Sequence, residues 1–158
     1  MLSGWLKRGL DPALVVVQDP APPAEVADLI SSLGIAISSG APALNDAPAV
    51  IVAAVKPQAM DDVFPGLARL AGRETLVLSI AAGKTLHSFE KHLSEGAAVV
   101  RAMPNTPAAI GRGISVCVAN RHVSVAQRAL ASSLLEAVGE VGWVEDETLM
   151  DAVTAVSG

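Results

Sequence analysis

Helical and strand-like periods alternate along almost the whole chain, with short connections between them. Uninterrupted apolar runs such as LVVV (residues 14–17), VIVAAV (50–55) and LVLSI (76–80) have the length and β-branched content of strands buried on both faces. Between them lie segments with apolar residues three or four positions apart, often opened by proline and closed by glycine. This alternation predicts an α/β fold, a doubly wound and mostly parallel sheet wrapped by helices.

The second half of the chain continues the pattern, and the run at residues 50–55 is predicted to be a central strand. Further strands are predicted over residues 97–103, 114–119 and 141–144. Ser124 can cap a helix whose inward-facing residues would be Val125, Leu130, Leu134 and Val138.

Composition and charge exclude several classes of function. With 158 residues, 51% of them hydrophobic, the chain can bury about two-thirds of its unfolded surface. The net charge is −5 and the lysines and arginines are scattered, so no basic surface for nucleic acid is predicted. The longest uncharged run, residues 29–45, is interrupted by serine, glycine and proline, which does not fit a membrane span.

The N-terminus and the cysteine content predict a cytoplasmic protein. Lys7 and Arg8 follow an apolar stretch much shorter than the core of a secretory signal. Cys117 is the one cysteine in the sequence, so no internal disulfide can form. Because it lies in an apolar run, Cys117 is predicted to be a buried core thiol.

Four segments that follow strands are the first candidates for a ligand site, because α/β sheets bind ligands beyond the carboxyl ends of their strands. They are QDP (residues 18–20), AVKPQ (54–58), SIAAGKT (79–85) and MPNTP (103–107). Each by itself also fits an ordinary strand-to-helix turn. AAGKT does not fit a phosphate-binding loop, since Leu78 stands where that loop requires glycine.

The sequence predicts no catalytic side chain and no metal site. It shows no Ser-His-Asp or Cys-His set, and the spacing of His87, His92 and His122 does not direct two imidazoles at one metal. Small residues and prolines at strand ends instead suit a flat ligand lying against the backbone. Asn105 could form a hydrogen bond with an amide, and Lys56 could reach a phosphate or ribose. This pattern favours hydride transfer by a bound cofactor.

Four segments together identify a family. AVKPQ, SIAAGKTL, RAMPNTPAAIGRG and EDETLMDAVTAVSG, in this order and at these intervals, closely resemble the cofactor-binding domain of pyrroline-5-carboxylate reductase. The resemblance covers essentially the whole chain. It implies a Rossmann-like NAD(P)-binding domain over residues 1–145 and the start of a helical dimerisation domain over residues 146–158.

The resemblance also implies the chemistry. The cofactor would be NADP(H) or NAD(H), the substrate 1-pyrroline-5-carboxylate, the product L-proline, and the full-length protein a homo-oligomer. The implied cofactor-binding residues are Ala54, Val55, Lys56, Pro57, Ile80, Ala81, Ala82, Met103, Pro104 and Asn105. The last three would form the floor for the nicotinamide ring, and Glu147 is a candidate for contacting the substrate.

The chain departs from the family pattern at both ends. It begins at the helix that should follow the first strand and its glycine-rich turn, and it ends where the helical domain should continue. We therefore expect a fragment with negligible activity of its own and with unpaired edges on the strands beside the missing one. Gln18 and Asp19 stand at the ribose position, where a carboxylate favours a free 2′-hydroxyl, so NAD(H) stays open beside NADP(H).

Two other interpretations stay open. One is a non-catalytic nucleotide-binding or interaction module, which the departures at the two ends would favour. The other is a related imine or 2-hydroxyacid reductase of the same topology. The lack of a catalytic lysine or histidine at a strand end argues against the 2-hydroxyacid reductases.

Overall fold

The structure, a computed structural model, describes residues 1–157. They form two compact units, one of residues 2–45 and the other of residues 46–157 with Met1. In the smaller unit, strands β1 and β2 form a parallel two-stranded sheet. Its elements are helix α1 (Leu2–Lys7), a 3-10 turn (Pro12–Leu14), β1 (Val16–Gln18), helix α2 (Ala24–Ser32) and β2 (Ala36–Ser38).

The first strand is shorter and more exposed than its sequence predicts. Leu14 ends the 3-10 turn instead of opening a strand, because the Asp11 side chain accepts a hydrogen bond from Ala13 N and caps that turn. Val16 is 42% exposed, and within residues 1–157 β1 pairs with β2 alone. The prediction of a strand buried on both faces is therefore wrong here.

The larger unit is built on a five-stranded sheet in the order β3-β4-β5-β6-β7. The β5–β6 pair is antiparallel and the other three pairs are parallel, which confirms the predicted mostly parallel α/β fold. The strands are β3 (Val50–Ala53), β4 (Leu76–Ser79), β5 (Ala98–Pro104), β6 (Gly113–Ala119) and β7 (Gly139–Trp143). The predicted central strand, β3, lies at one edge of this sheet because β1 and β2 pair separately.

Four helices cover the two faces of this sheet. They are α3 (Met60–Ala68), α4 (Leu86–Glu90), α5 (Val125–Glu136) and α6 (Leu149–Ser157), with 3-10 turns at Pro57–Ala59 and Thr106–Ile110. No helix among residues 1–157 is long and apolar enough to cross a membrane.

The first face, covered by α3, α4 and α6, carries the larger core. Its buried residues are Ile51, Ala53, Met60, Phe64, Leu67, Val77, Ala81, Leu86, Phe89, Val99, Val118 and Met150. The Phe64 and Phe89 rings meet edge to face at 4.9 Å. Such burial is the main source of stability of a domain of this size.

The second face carries a smaller core and is covered by α5. Its buried residues are Leu76, Leu78, Ala98, Val100, Ala102, Cys117, Ala131 and Leu135. Val125 is 88% exposed and Leu130 is 38% exposed, so the predicted inward face of α5 is wrong at these two positions. Ala131 and Leu135, four residues apart on one side of the helix, contact the sheet in their place.

Candidate functional site

The carboxyl ends of β3, β4 and β5 meet at one edge of the five-stranded sheet. In the parallel register Ala53 lies beside Ser79, and Ser79 lies beside Arg101. The residues that follow this row are Ala54–Pro57, Ile80–Ala82 and Met103–Asn105. The structure thus brings together three of the four groups of residues that the sequence predicts for the cofactor.

The end of β5 projects beyond its neighbour as a ledge. Its pairing with β4 stops at Arg101, whereas its pairing with β6 continues to Pro104, opposite Ser115. Asn105 N donates to Ile114 O at 3.2 Å, and Asn105 Oδ1 accepts from Ile114 N at 2.8 Å. The ledge Met103–Asn105 is therefore held from the β6 side, and the Asn105 Nδ2 donor has no partner within residues 1–157.

The other two strand ends offer small side chains and one cation. Ala54 is exposed, and Ala81 is buried with its N–H donating to the buried Ser79 Oγ at 3.2 Å. Lys56 is exposed and forms no ion pair within the described part of the chain. This set fits a flat, phosphate-bearing ligand, because alanines allow close approach and an unpaired lysine can neutralise an anion.

Packing explains in part why the side chains of residues 105–113 are small, and the sequence alone did not reveal this reason. The 3-10 turn Thr106–Ile110 ends at Gly111, which has a left-handed φ of 72°. A Cβ placed on Gly113 would lie 2.7 Å from Ala108 Cα. Glycine is thus required at Gly113 because the turn packs directly on β6.

Glu147 and Arg101 form a partly buried ion pair below this edge. Arg101 Nη1 donates to Glu147 Oε1 at 3.1 Å, and the Arg101 side chain is 4% exposed. The same Oε1 accepts from Leu86 N, the first residue of α4, at 2.8 Å. Arg101 was missed in the sequence, although a charged residue inside the apolar run AAVVRAM is a detectable signal.

Gln18 is the last residue of β1 in the smaller unit, and Asp19 follows it. Asp19 N donates to Ser38 O at 3.0 Å. Asp19 Oδ1 accepts from Ala21 N at 2.9 Å, an Asx turn that holds the carboxylate at the strand end. Gln18 Oε1 is buried and has no hydrogen-bond partner within residues 1–157.

Cys117, Asp61 and His92 are further titratable groups with distinctive surroundings. Burial raises the pKa of the Cys117 thiol to about 12, so at neutral pH it is protonated and poorly nucleophilic. A hydrogen bond from Lys84 lowers the pKa of Asp61, an exposed carboxylate 2.8 Å from Lys84 Nζ. The Nε2 atom of His92 is buried and has no hydrogen-bond partner in residues 1–157. No group of three metal-ligating side chains comes together in that range.

Comparison with known proteins shows close relatives along the whole chain. The chain is 42% identical to pyrroline-5-carboxylate reductase of Pseudomonas aeruginosa over 159 residues, which is all of this chain and 58% of that protein. The solved structure of a pyrroline-5-carboxylate reductase from Coxiella burnetii matches 99% of this chain and 58% of its own, at 33% identity and a TM-score of 0.87. The chain therefore spans a little over half of the length of these relatives.

A more distant structure shares the fold. Plasmodium falciparum pyrroline carboxylate reductase with NADP bound has a TM-score of 0.80 at 22% identity, covering 98% of this chain and 56% of its own. The family model described as NADP oxidoreductase, coenzyme F420-dependent, matches residues 1–83. The chain belongs to this NADP oxidoreductase family, and over its whole length it is similar to pyrroline-5-carboxylate reductases.

Proposed function

We propose that this chain is the cofactor-binding part of a pyrroline-5-carboxylate reductase, which reduces the C=N bond of 1-pyrroline-5-carboxylate to give L-proline. The observation that carries the proposal is the 42% identity to the Pseudomonas aeruginosa reductase over the whole chain. The shared edge of β3, β4 and β5 supports it, because the predicted cofactor residues follow these three neighbouring strands.

The residues at this edge would bind and orient the cofactor, and they would not exchange protons with the substrate. When bound, the reduced nicotinamide supplies the hydride. Met103 and Pro104 would form the floor for the ring, and the unpartnered Asn105 Nδ2 can donate to a carboxamide oxygen. Ile80, Ala81 and Ala82 would line the nicotinamide half, while the segment Ala54–Pro57 would lie beside the ribose and pyrophosphate. Rigid placement is the contribution that hydride transfer requires.

We propose NADP(H) as the cofactor, with NAD(H) as an alternative that Asp19 supports. The family model is described as an NADP oxidoreductase, and the Plasmodium falciparum structure has NADP bound. The Asp19 carboxylate, held by Ala21 N, would repel a 2′-phosphate and would accept from a free 2′-hydroxyl. Measuring kcat/KM with NADPH and with NADH decides between the two cofactors.

The proposal includes a cytoplasmic homo-oligomer. A reductase that uses NAD(P)H needs the pool of reduced nucleotide inside the cell, and the buried Cys117 thiol is compatible with that compartment. Light scattering or analytical ultracentrifugation of the purified protein would test the oligomeric state.

The test is oxidation of NADPH and of NADH in the presence of pyrroline-5-carboxylate. The chain is measured by itself and after addition of the segments of the Pseudomonas aeruginosa relative that lie outside the alignment. Turnover in either form, with L-proline as product, supports the proposal. Binding of NADPH without turnover in both forms would overturn it in favour of a nucleotide-binding module.

A matched pair of variants tests the location of the site. Ala54→Leu adds bulk at the proposed edge and should raise the KM for the cofactor by about tenfold, on the scale of one poorly accommodated side chain. Ala126→Leu, at another exposed alanine of the same unit, should leave the KM for the cofactor unchanged. The same KM for the cofactor in both variants would show that the cofactor binds elsewhere.

A further inference from the structure

One carboxylate oxygen connects three elements directly below the predicted nicotinamide floor. Glu147 Oε1 accepts from Leu86 N at the start of α4 and from Arg101 Nη1 on β5, and Glu147 itself lies two residues before α6. The Arg101 side chain is almost fully buried and that of Glu147 is 28% exposed. This is the one ion pair among the described residues in which a partner is buried.

Arg101 of the Arg101–Glu147 pair lies close in sequence to the start of the ledge and on the same face of the sheet. Arg101 is the last residue of β5 that pairs with β4, and the ledge Met103–Asn105 begins two residues later. Because side chains alternate along a strand, Arg101 and Met103 share the first face of the sheet. Any shift of Arg101 along that face therefore moves the ledge with it.

The energetics indicate a geometric role for the pair. A buried ion pair is frequently no more stabilising than a well-packed apolar pair of similar volume, because desolvation offsets the attraction. Its hydrogen bonds, however, are directional, and here they define the distances between β5, α4 and the turn before α6. An apolar pair could fill the same volume without defining those distances.

We propose that Arg101 and Glu147 are positioning residues that hold the ledge Met103–Asn105 at the height that hydride transfer requires. This inference rests on the proposed function. The contacts of Glu147 support this role, since its Oε1 accepts two hydrogen bonds from inside the protein, one from Leu86 N and one from Arg101 Nη1.

The decisive variant is the double substitution Arg101→Met with Glu147→Leu, which replaces the pair by apolar side chains and allows the chain to fold. In the form extended with the segments of the Pseudomonas aeruginosa relative, we expect kcat to fall about tenfold or more, since small misplacements of reacting groups are costly. The KM for NADPH should change less than about threefold, because the binding contacts remain. The primary isotope effect with 4-deuterated NADPH should increase, because the hydride step itself becomes slower; loss of folded protein alone would leave it unchanged.

Two single variants serve as controls. Glu147→Gln keeps an acceptor oxygen in place and should retain most of the wild-type kcat. Glu145→Gln makes the same charge change at the exposed Arg128–Glu145 pair and should match wild type. A double variant with wild-type kcat and isotope effect would overturn the inference.

A second readout separates this inference from the proposed function. Hydrogen exchange of the Asn105 amide, which donates to Ile114 O, reports how often the hydrogen bond that holds the ledge to β6 opens, and it needs no turnover. Faster exchange in the double variant supports the positioning role even where wild type does not reduce pyrroline-5-carboxylate, a result that would count against the proposed function alone. Unchanged Asn105 exchange would overturn the positioning role.

Discussion

The two faces of the five-stranded sheet are packed by different means. The second face, under α5, is filled by apolar side chains, one protonated thiol and the small hydroxyl of Ser115. The first face, under α3, α4 and α6, has an apolar core as well, but at its carboxyl end it also buries Ser79 and Arg101. The difference is the charge: among the described residues the buried charged side chain is Arg101, and it lies on the first face near the edge that carries the predicted cofactor residues.

Leu135→Ala should cause the largest loss of stability, because it removes a fully buried side chain from the second face. Similar substitutions cost between about 2 and 5 kcal/mol, and we expect about 4 kcal/mol here. Urea unfolding followed by circular dichroism measures this loss. Leu130→Ala on the same helix is the matched control; Leu130 is 38% exposed, so its loss should be clearly smaller. Equal losses would show that α5 packs through a different side.

Glu147→Leu should have the next largest effect, on the first face. It leaves the buried Arg101 guanidinium without its carboxylate and Leu86 N without its acceptor. Breaking a buried pair from one side costs about 3 kcal/mol. Adding Arg101→Met should recover most of this loss, because the unpaired charge is then removed. A double variant as unstable as the single one would show that the pair stabilises the fold by itself.

Cys117 should make the stability of the second face sensitive to alkaline pH. Its folded pKa is raised to about 12 from 9.0, so its contribution is fully present below pH 9 and is lost as pH rises from about 9 towards about 12. Between pH 9 and pH 10 the free energy of unfolding should fall by about 1 kcal/mol from this group, because the thiol of the unfolded chain is already half deprotonated at pH 9. Cys117→Ala removes this slope and is the control for other titrations. Identical pH profiles in the two proteins would contradict burial of the thiol.

Glu145→Gln should have the smallest effect. The Arg128–Glu145 pair has almost the same length as the buried pair, 3.0 Å, but the Glu145 side chain is 85% exposed. Exposed pairs contribute about 0.5 kcal/mol or less, and Arg128 also packs over the Trp143 ring, 4.3 Å from its centroid. Unfolding in low and high salt measures the contribution. A loss as large as that of Glu147→Leu would remove the distinction between buried and exposed pairs.

Most of the fold could be predicted because local signals agree with it. The proline before α2, the serine that caps α5 and the apolar runs of β4 and β5 each determine a boundary from neighbouring residues alone. The errors concern the length and burial of β1, the place of β3 in the sheet order and the side of α5 that is buried. Val125 and Leu130 fit an inward pattern, but they are exposed because the register of α5 on the sheet selects Ala131 and Leu135.

The candidate site was predictable in part for the same reason. Residues after parallel neighbouring strands must share an edge, so the sequence alone groups Ala54–Pro57, Ile80–Ala82 and Met103–Asn105. Their roles toward a cofactor stay predictions. The pairing of Arg101 with Glu147, which are 46 residues apart, has no local signal that names the partner.

The sequence by itself determined the alternation of strands and helices, the small and proline-rich strand ends, and the family, since these depend on residue type and order. Only the tertiary structure decided that β3 lies at the edge of its sheet, that β5 projects beyond β4, and that Glu147 meets Arg101 and Leu86. The physical reason is that pairing order, register and buried ion pairs depend on contacts between distant segments. Such contacts form only when the whole sheet is assembled.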